Sequence, residues 1–333
     1  MKKFFCLLAI MLMILSAECD AARRFIIDTD TAGDDAAALI LAAKTPDIII
    51  EGVTVVAGNV DLEQGTRNAL MSLEIAGANI PVYKGADASL MARRFELYSV
   101  FGKDGMGDAN LIHPKGKAQT KSAVDFILET VKKYPGEVEI VTLGPVTNIA
   151  LAIEKDPATM RRVKKFWSMG TAGFGPGNAT PVAEFNVFKD AEAYKVMLDL
   201  GVPVTVIGLD LATEGTLIDT KTLDAMENSK PTEKFLAKAC GKYLNFRRDL
   251  LHEPNVALFD AVAMAAALWD DFVLETETCH ASCITAEGET HGQVIFYRKN
   301  ITYDTMITFD SYNVEVVTKI KAADFVPRYR ASI

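Results

Sequence analysis

The sequence predicts an α/β protein with a mainly parallel central sheet wrapped by helices. Two observations carry this: strand-length apolar runs alternate with helix-length runs, and the residues richest in chemistry stand directly after the apolar runs. Residues 25–27 (Phe-Ile-Ile) read as a short buried strand and 36–43, built of Ala, Leu and Ile, as the helix after it. Residues 47–56 are strand-rich and 62–76 helical. A long polar, glycine-containing stretch over 86–120 separates them from a helix at 122–133. Strand 137–143 leads into a helix from 146 to 154 behind Gly144-Pro145. Strand 164–169 is followed by a helix at 191–200 and strand 204–209. Beyond Leu209, longer helices are expected at 231–248 and 257–268. Short strand-like pieces between 280 and 309 suggest a small antiparallel addition near the C-terminus. No repeat, low-complexity tract or linker interrupts the chain, so residues 23–333 read as one domain.

Parallel sheets bind ligands at the carboxyl ends of their strands. Four aspartates fall at one such end, Asp28, Asp30, Asp34 and Asp35. Asp28 and Asp30 share a strand face. Gly33 permits a tight turn, and Asp34 and Asp35 open the helix, where its dipole favours negative charge. Like charges ~4 Å apart repel by about 4 kcal/mol at an effective dielectric of ~20. A hard divalent cation with oxygen ligands removes that penalty.

The 333 residues, half of them hydrophobic, can bury a large core. Residues 1–22 carry Lys2-Lys3, an apolar stretch and a small-residue exit, the pattern of a secretory signal peptide too short to span a bilayer. The mature protein is therefore expected to be exported, periplasmic or secreted. Two charges of each sign leave with the signal, so the net charge stays at −9. That acidity excludes the electrostatic footprint of a nucleic-acid or anionic-membrane binder. Asn178 and Asn300 are Asn-x-Thr acceptors, and a glycan on Asn178 would block a pocket built there, which favours a bacterial periplasm. Cys240, Cys279 and Cys283 survive processing. Their odd number argues against a disulfide scaffold and leaves a Cys279–Cys283 bridge open; His280 inside that Cys-x3-Cys spacing hints at zinc, but no second ligand pair follows.

Two further segments sharpen the reading: Thr142-Leu-Gly-Pro-Val-Thr-Asn148 at a strand-to-helix junction, and Gly177-Asn-Ala-Thr-Pro-Val-Ala-Glu-Phe-Asn186 entering a helix. With residues 28–35, Ala57-Gly-Asn59 and Asp260, they give a chain that closely resembles the nucleoside hydrolases, from Arg24 to about Val326. The resemblance implies a Rossmann-like nucleoside hydrolase fold and calcium-dependent hydrolysis of the N-glycosidic bond of a ribonucleoside to ribose and free base. It implies a Ca2+ ion held by Asp30, Asp35, the Leu143 carbonyl and Asp260, with Asp30 also the catalytic base. Asp34, Asn59, Asn178, Glu184 and Asn186 match ribose-binding positions, and their mixture of donors and acceptors suits vicinal hydroxyls. Met169 is expected against the sugar, and Asp28 as a partner that orients the cluster. Thr147 and Asn148 are expected to support their turn. Relatives are usually dimers or tetramers, so a homo-oligomer is expected.

The sequence departs from the family at Phe259. Some members carry a histidine before the late aspartate, tied to protonating the leaving base, and phenylalanine cannot donate a proton. An aromatic there points to base stacking and to purine nucleosides. Tyr98 or Phe101, in the stretch matching the loop that covers the base, could supply the other wall of a stack. His252 and His291 are available donors without an assigned place; His113 reads as structural. Two alternatives remain at this point. One is a haloacid-dehalogenase-like phosphatase with Asp28 as nucleophile, since Asp-x-Asp after a first strand suits both. The other is an exported nucleoside-binding protein that lost turnover with Phe259.

Overall fold

In the computed structural model, which describes residues 22–91, 99–109, 111, 113–302 and 308–333, the first apolar run becomes strand β1 (Arg23–Thr29). Phe25 and Ile27 pack into the hydrophobic cluster on one face of the sheet, and Ile26 into the cluster on the other. Successive strand side chains point to opposite faces, so a strand buried on both sides must be apolar throughout.

The chain continues as α1 (Gly33–Lys44), β2 (Ile48–Val55), α2 (Leu62–Ile75), β3 (Val82–Lys84), α3 (Ala123–Lys133), β4 (Val138–Thr142) and α4 (Thr147–Lys155). Next come α5 (Pro157–Met160), β5 (Lys165–Met169), α6 (Phe185–Lys189), α7 (Ala191–Asp199) and β6 (Val204–Ile207). Side chains cap several of these helices: Asp61 accepts from the Gln64 N–H at α2, and Ser122 from the Asp125 N–H at α3. The second half holds β7 (Leu217–Asp219), α8 (Thr220–Glu227), α9 (Pro231–Ala239), α10 (Gly241–Leu250), β8 (Asn255–Ala257) and α11 (Phe259–Leu268). It closes with β9 (Val273–Cys283), β10 (Val294–Arg298), β11 (Val314–Ile320) and α12 (Ala322–Ser332).

The large sheet has the order β10-β9-β11-β6-β5-β4-β1-β2-β3, and β7 and β8 form a separate antiparallel pair. From β3 across to β11 every described pairing is parallel, whereas β9 runs antiparallel to both β11 and β10. The chain leaves β1 for β2 on one side and later returns to β4 on the other. The carboxyl ends of β1 and β4 therefore mark the switch point where a doubly wound sheet opens a crevice.

Helix α1 is buried along nearly its whole length, and it packs against the equally alanine-rich α11. Small side chains let the two backbones approach closely. Leu39, Ile40 and Leu41 are fully buried, each stabilising the fold by roughly 1.5–3 kcal/mol relative to exposure. This contact brings Asp34 and Asp35, at the start of α1, to Asp260, at the start of α11.

Several elements differ from the sequence expectation. The expected helix over 231–248 is two helices, broken at Cys240 where Gly241 starts the second. Strand β9 begins at Val273, before the pieces expected from 280; its first half alternates Glu and Thr on an exposed surface and therefore reads as polar. β11 and α12 lie outside any expected element. The anticipated signal peptide falls, except for Ala22, outside the described residues, as does Tyr98. Among the described residues no helix is long and apolar enough to cross a membrane.

The open question of a Cys279–Cys283 bridge is answered in the negative. All three described cysteines are free and buried. Four residues along one strand separate Cα atoms by ~13 Å, whereas a disulfide needs roughly 4.4–6.8 Å. The zinc option fails on the same spacing. For a chain beginning at Arg23, thiol titration after unfolding should count three free groups without reductant; a count of one would contradict this strand register.

Candidate active site

Strand β1 delivers its carboxylates already buried. Asp28 accepts hydrogen bonds at Oδ1 from the Thr54 hydroxyl at 2.5 Å and from Asn148 Nδ2 at 2.8 Å. Asn148 also donates to the Val55 carbonyl and accepts from the Ala86 N–H, so it ties β1, β2 and the following loop together. Two residues on, Asp30 Oδ2 accepts the Asn59 N–H at 2.6 Å. That approach requires Gly58, because a Cβ there would lie 2.1 Å from Asp30 Oδ2. Asp30 Oδ1 faces the Gly144 backbone and is buried without a hydrogen-bond partner.

The turn after β1 fixes the remaining acids. Asp35 accepts from the Thr29 hydroxyl at 2.5 Å and, reaching back across the helix start, from the Ala32 N–H at 2.8 Å. Asn68 donates to the carbonyls of Thr31 and Asp104, joining this turn to the loop 102–108. Oxygens of Asp34, Asp35 and Asp260 all lie within 4.8 Å of one another. Asp30 is the next charged neighbour, close enough to repel Asp260 and to be repelled by Asp35 and Asp34.

Burial without countercharge raises every one of these carboxyls above the ordinary 3.8. Desolvation is the first cause throughout; for Asp30 and Asp34 repulsion from Asp35 is the next, and for Asp260 repulsion from Asp34. Desolvation lifts Asp35 to about 6 against three opposing hydrogen-bond partners. The same cause lifts Asp28 to about 7. Among the described residues no lysine or arginine lowers these carboxyls. An unpartnered oxygen and converging carboxylates are the donor chemistry of a hard divalent cation.

Above this floor opens a cavity of about 470 Å³. Asp34, Asn59, Leu143, Met169, Asn178, Glu184, Asn186, Phe259 and Asp260 all line it, whereas Asp28, Asp30 and Asp35 lie buried outside its lining. The wall from β5 to α6 is internally bonded. Asn186 Nδ2 donates to the Leu143 carbonyl at 2.9 Å and lies 3.4 Å from the Met169 Sδ. Glu184 caps α6 by accepting the N–H groups of Asn186 and Val187. Desolvation still raises Glu184 to about 7. Asn178 Oδ1 accepts the Phe185 N–H.

The sequence reading missed one wall. Tyr243, Phe246 and Arg247 of α10 line the cavity with Phe101, whose ring lies 4.6 Å from that of Tyr243. Arg247 is held by Asn255 and Glu253 and donates to the Tyr243 hydroxyl at 3.4 Å. Their i, i+3, i+4 spacing was visible but indistinguishable from an ordinary core stripe. His113, His252 and His291 do not line this cavity.

This geometry agrees with what similarity to known proteins shows. The family model of the inosine-uridine preferring nucleoside hydrolases matches residues 25–327, and the chain belongs to that family. It is 38% identical over 250 residues, 74% of each chain, to uridine nucleosidase 1 of Arabidopsis thaliana. It is 36% identical over 208 residues, 62% of this chain and 66% of the other, to the pyrimidine-specific ribonucleoside hydrolase RihB of Escherichia coli. Among solved structures, the purine-preferring ribonucleoside hydrolase from Gardnerella vaginalis superposes with a TM-score of 0.83 at 31% identity, covering 93% of this chain and 98% of that one. A plant nucleoside hydrolase, PpNRh1, reaches a TM-score of 0.87 at 28% identity with the same coverage. The phosphatase alternative falls with this membership: Asp28, its required nucleophile, lies outside the cavity lining and is held by Thr54 and Asn148.

The raised carboxyls make a pH prediction. They bind protons more tightly folded than unfolded, so their stabilising contribution is greatest at low pH and is lost as pH rises from about 3.8 through about 6 and beyond. Chelator-treated protein should therefore lose thermal stability over that window, and added calcium should restore more of it at pH 8 than at pH 5. A calcium-induced shift in melting temperature that is equal at both pH values would contradict this electrostatic origin.

Proposed function

We propose that this chain hydrolyses the N-glycosidic bond of ribonucleosides with a bound calcium ion, releasing ribose and free base. The observation that carries the reading is the convergence of Asp34 and Asp35 with Asp260, far apart in the chain, at the floor of a cavity, with Asp30 as their next charged neighbour. We assign the ion to Asp30, Asp35, Asp260 and the Leu143 carbonyl. Asp34, which lines the cavity and also converges with Asp35 and Asp260, we assign to the sugar on the family resemblance. When bound, calcium supplies a Lewis acid that acidifies water and gathers vicinal hydroxyls.

The chain's own groups account for the rest. Asp30 takes the proton of the attacking water; its Oδ1 is the carboxylate oxygen that no protein hydrogen bond occupies. Asn59, Asn178, Glu184 and Asn186 hold the ribose, whose anomeric carbon gains positive charge as the bond breaks. The surrounding carboxylates and carbonyls stabilise that charge. Phe259 cannot protonate the base, and the protic groups of the aromatic wall are the Tyr243 hydroxyl and the Arg247 guanidinium, which we assign to the leaving base. Phe259 and the rings of Phe101, Tyr243 and Phe246 line the cavity, and a base stacked among them supports purine substrates. The similarity to a uridine nucleosidase favours uridine as a second reading. The signal-like residues 1–22 support an exported enzyme acting on external nucleosides.

Asp30→Ala should lower kcat by about 10²–10⁴-fold, the usual contribution of a positioned base, in a coupled assay of free ribose; wild-type turnover would refute the assignment. A panel of inosine, adenosine, guanosine and uridine, with and without chelator, tests substrate and ion together. Higher kcat/KM for the purines, abolished by chelator, is expected. Uridine turning over fastest would select the second reading, and binding without release of any base would select a binding protein.

A further inference from the structure

Helix α2 carries one buried amide that joins the acidic turn to the aromatic wall. Asn68 is fully buried. Its Oδ1 accepts from Gln64 Nε2 at 2.8 Å, which turns Nδ2 toward two backbone carbonyls, Thr31 at 2.9 Å and Asp104 at 2.8 Å. A carboxamide supplies both donors; an ionised aspartate or a leucine of the same size supplies neither. Thr31 stands in the turn between Asp30 and Asp34, and Asp104 stands in the loop that follows Phe101.

That loop is bonded largely to itself. Asp104 Oδ1 accepts the N–H groups of Met106 and Asp108, and Asp108 Oδ1 accepts the Lys103 N–H at 2.7 Å. The Gly107 N–H reaches the Phe101 carbonyl at 2.7 Å, so Phe101 is carried by the loop. Among the described residues, Asn68 is the side chain outside the loop that hydrogen-bonds to it. The Lys242–Asp108 pair, 3.7 Å apart on the surface, is a looser tie. Close packing leaves little play. A Cβ on Gly105, at φ +71°, would lie 2.8 Å from Val60 Cγ1 and 3.2 Å from Asn68 Nδ2. A Cβ on Gly107 would lie 2.3 Å from the Lys238 carbonyl oxygen. Phe101 is thereby set against the start of α1, its Cδ1 3.3 Å from where a Cβ on Gly33 would stand, with its ring lining the cavity beside Tyr243.

We propose that Asn68 is a positioning residue for the base end of the substrate: it locks the loop that carries Phe101 to the turn that carries the acids, and so fixes the spacing between the aromatic wall and the sugar site. A wall fixed in advance spares the substrate the cost of ordering it. Asn68 does not line this cavity, and its bonds go to carbonyls and to Gln64, not to the carboxylates. The acids keep their own holds, Asp35 on Thr29 and the Ala32 N–H, and Asp30 on the Asn59 N–H. Loss of the amide therefore frees the wall before it disturbs the floor. The inference rests on the nucleoside hydrolase reading above, in which the base stacks among the aromatic rings. A role confined to stability lowers the melting temperature and leaves the kinetic constants alone. A general disturbance of the turn weakens sugar binding as well.

The test uses calcium-loaded protein, the best nucleoside of the panel, and ribose as an inhibitor that occupies the sugar end alone. Asn68→Ala should raise nucleoside KM about tenfold with kcat held within about threefold, the signature of lost binding common to ground and transition states. The inhibition constant of ribose should stay within about twofold of wild type, since distant, independent contacts do not couple. In a Phe101→Ala background the same substitution should raise KM less than about twofold, because it acts through that ring. Should Asn68→Ala fail to fold, Gly105→Ala perturbs the same contact from the loop side and should give the same pattern. Wild-type KM in the folded variant, a matching rise in the ribose inhibition constant, or an undiminished effect in the Phe101→Ala background overturns the proposal alone. A wild-type chain that cleaves no nucleoside overturns the functional reading, and the positioning role with it.

Discussion

Four carboxylates buried together, with no basic partner among the described residues, constitute the constraint around which this molecule is arranged. Asp30, Asp34, Asp35 and Asp260 repel one another in a desolvated pocket, and each is pushed toward its neutral form. A divalent cation held by their oxygens would relieve that penalty. Everything nearby serves to keep the acids in place. Gly58 and Gly144 let backbone approach Asp30, Thr29 and the Ala32 N–H hold Asp35, and Thr54 with Asn148 hold Asp28.

The parallel sheet explains why such distant residues meet. β1 and β4 are neighbours whose carboxyl ends present Asp30 and Leu143 to one crevice. Helices α1 and α11, close-packed through alanines, aim their N-termini at the same place. The helix dipoles offset part of the negative charge, and the proposed cation supplies the remainder. The sugar wall, by contrast, hangs on loops. Its precision comes from side chains that bond back to the framework, as Asn186 does to Leu143.

Much of this was legible in the sequence because the informative residues sit at fixed offsets from buried strands. The run Phe25-Ile26-Ile27 followed by spaced aspartates marks both a strand and a site. The element alternation up to Leu209 follows from hydrophobic period alone. What escaped notice has physical reasons. The first half of β9 lies on an exposed surface, so its Glu-Thr alternation carries no apolar signal. The aromatic wall on α10 has the spacing of any core-facing helix.

The central claim is that the acidic floor is a cation site shared by the starts of α1 and α11, which lie far apart in the chain. Calorimetric titration of calcium into chelator-treated protein, without any nucleoside, tests it most directly. One saturable site is expected in the wild-type chain, and its loss in Asp260→Asn, with the variant still folded. Absence of calcium binding by the wild type, or equal binding by Asp260→Asn, would contradict it.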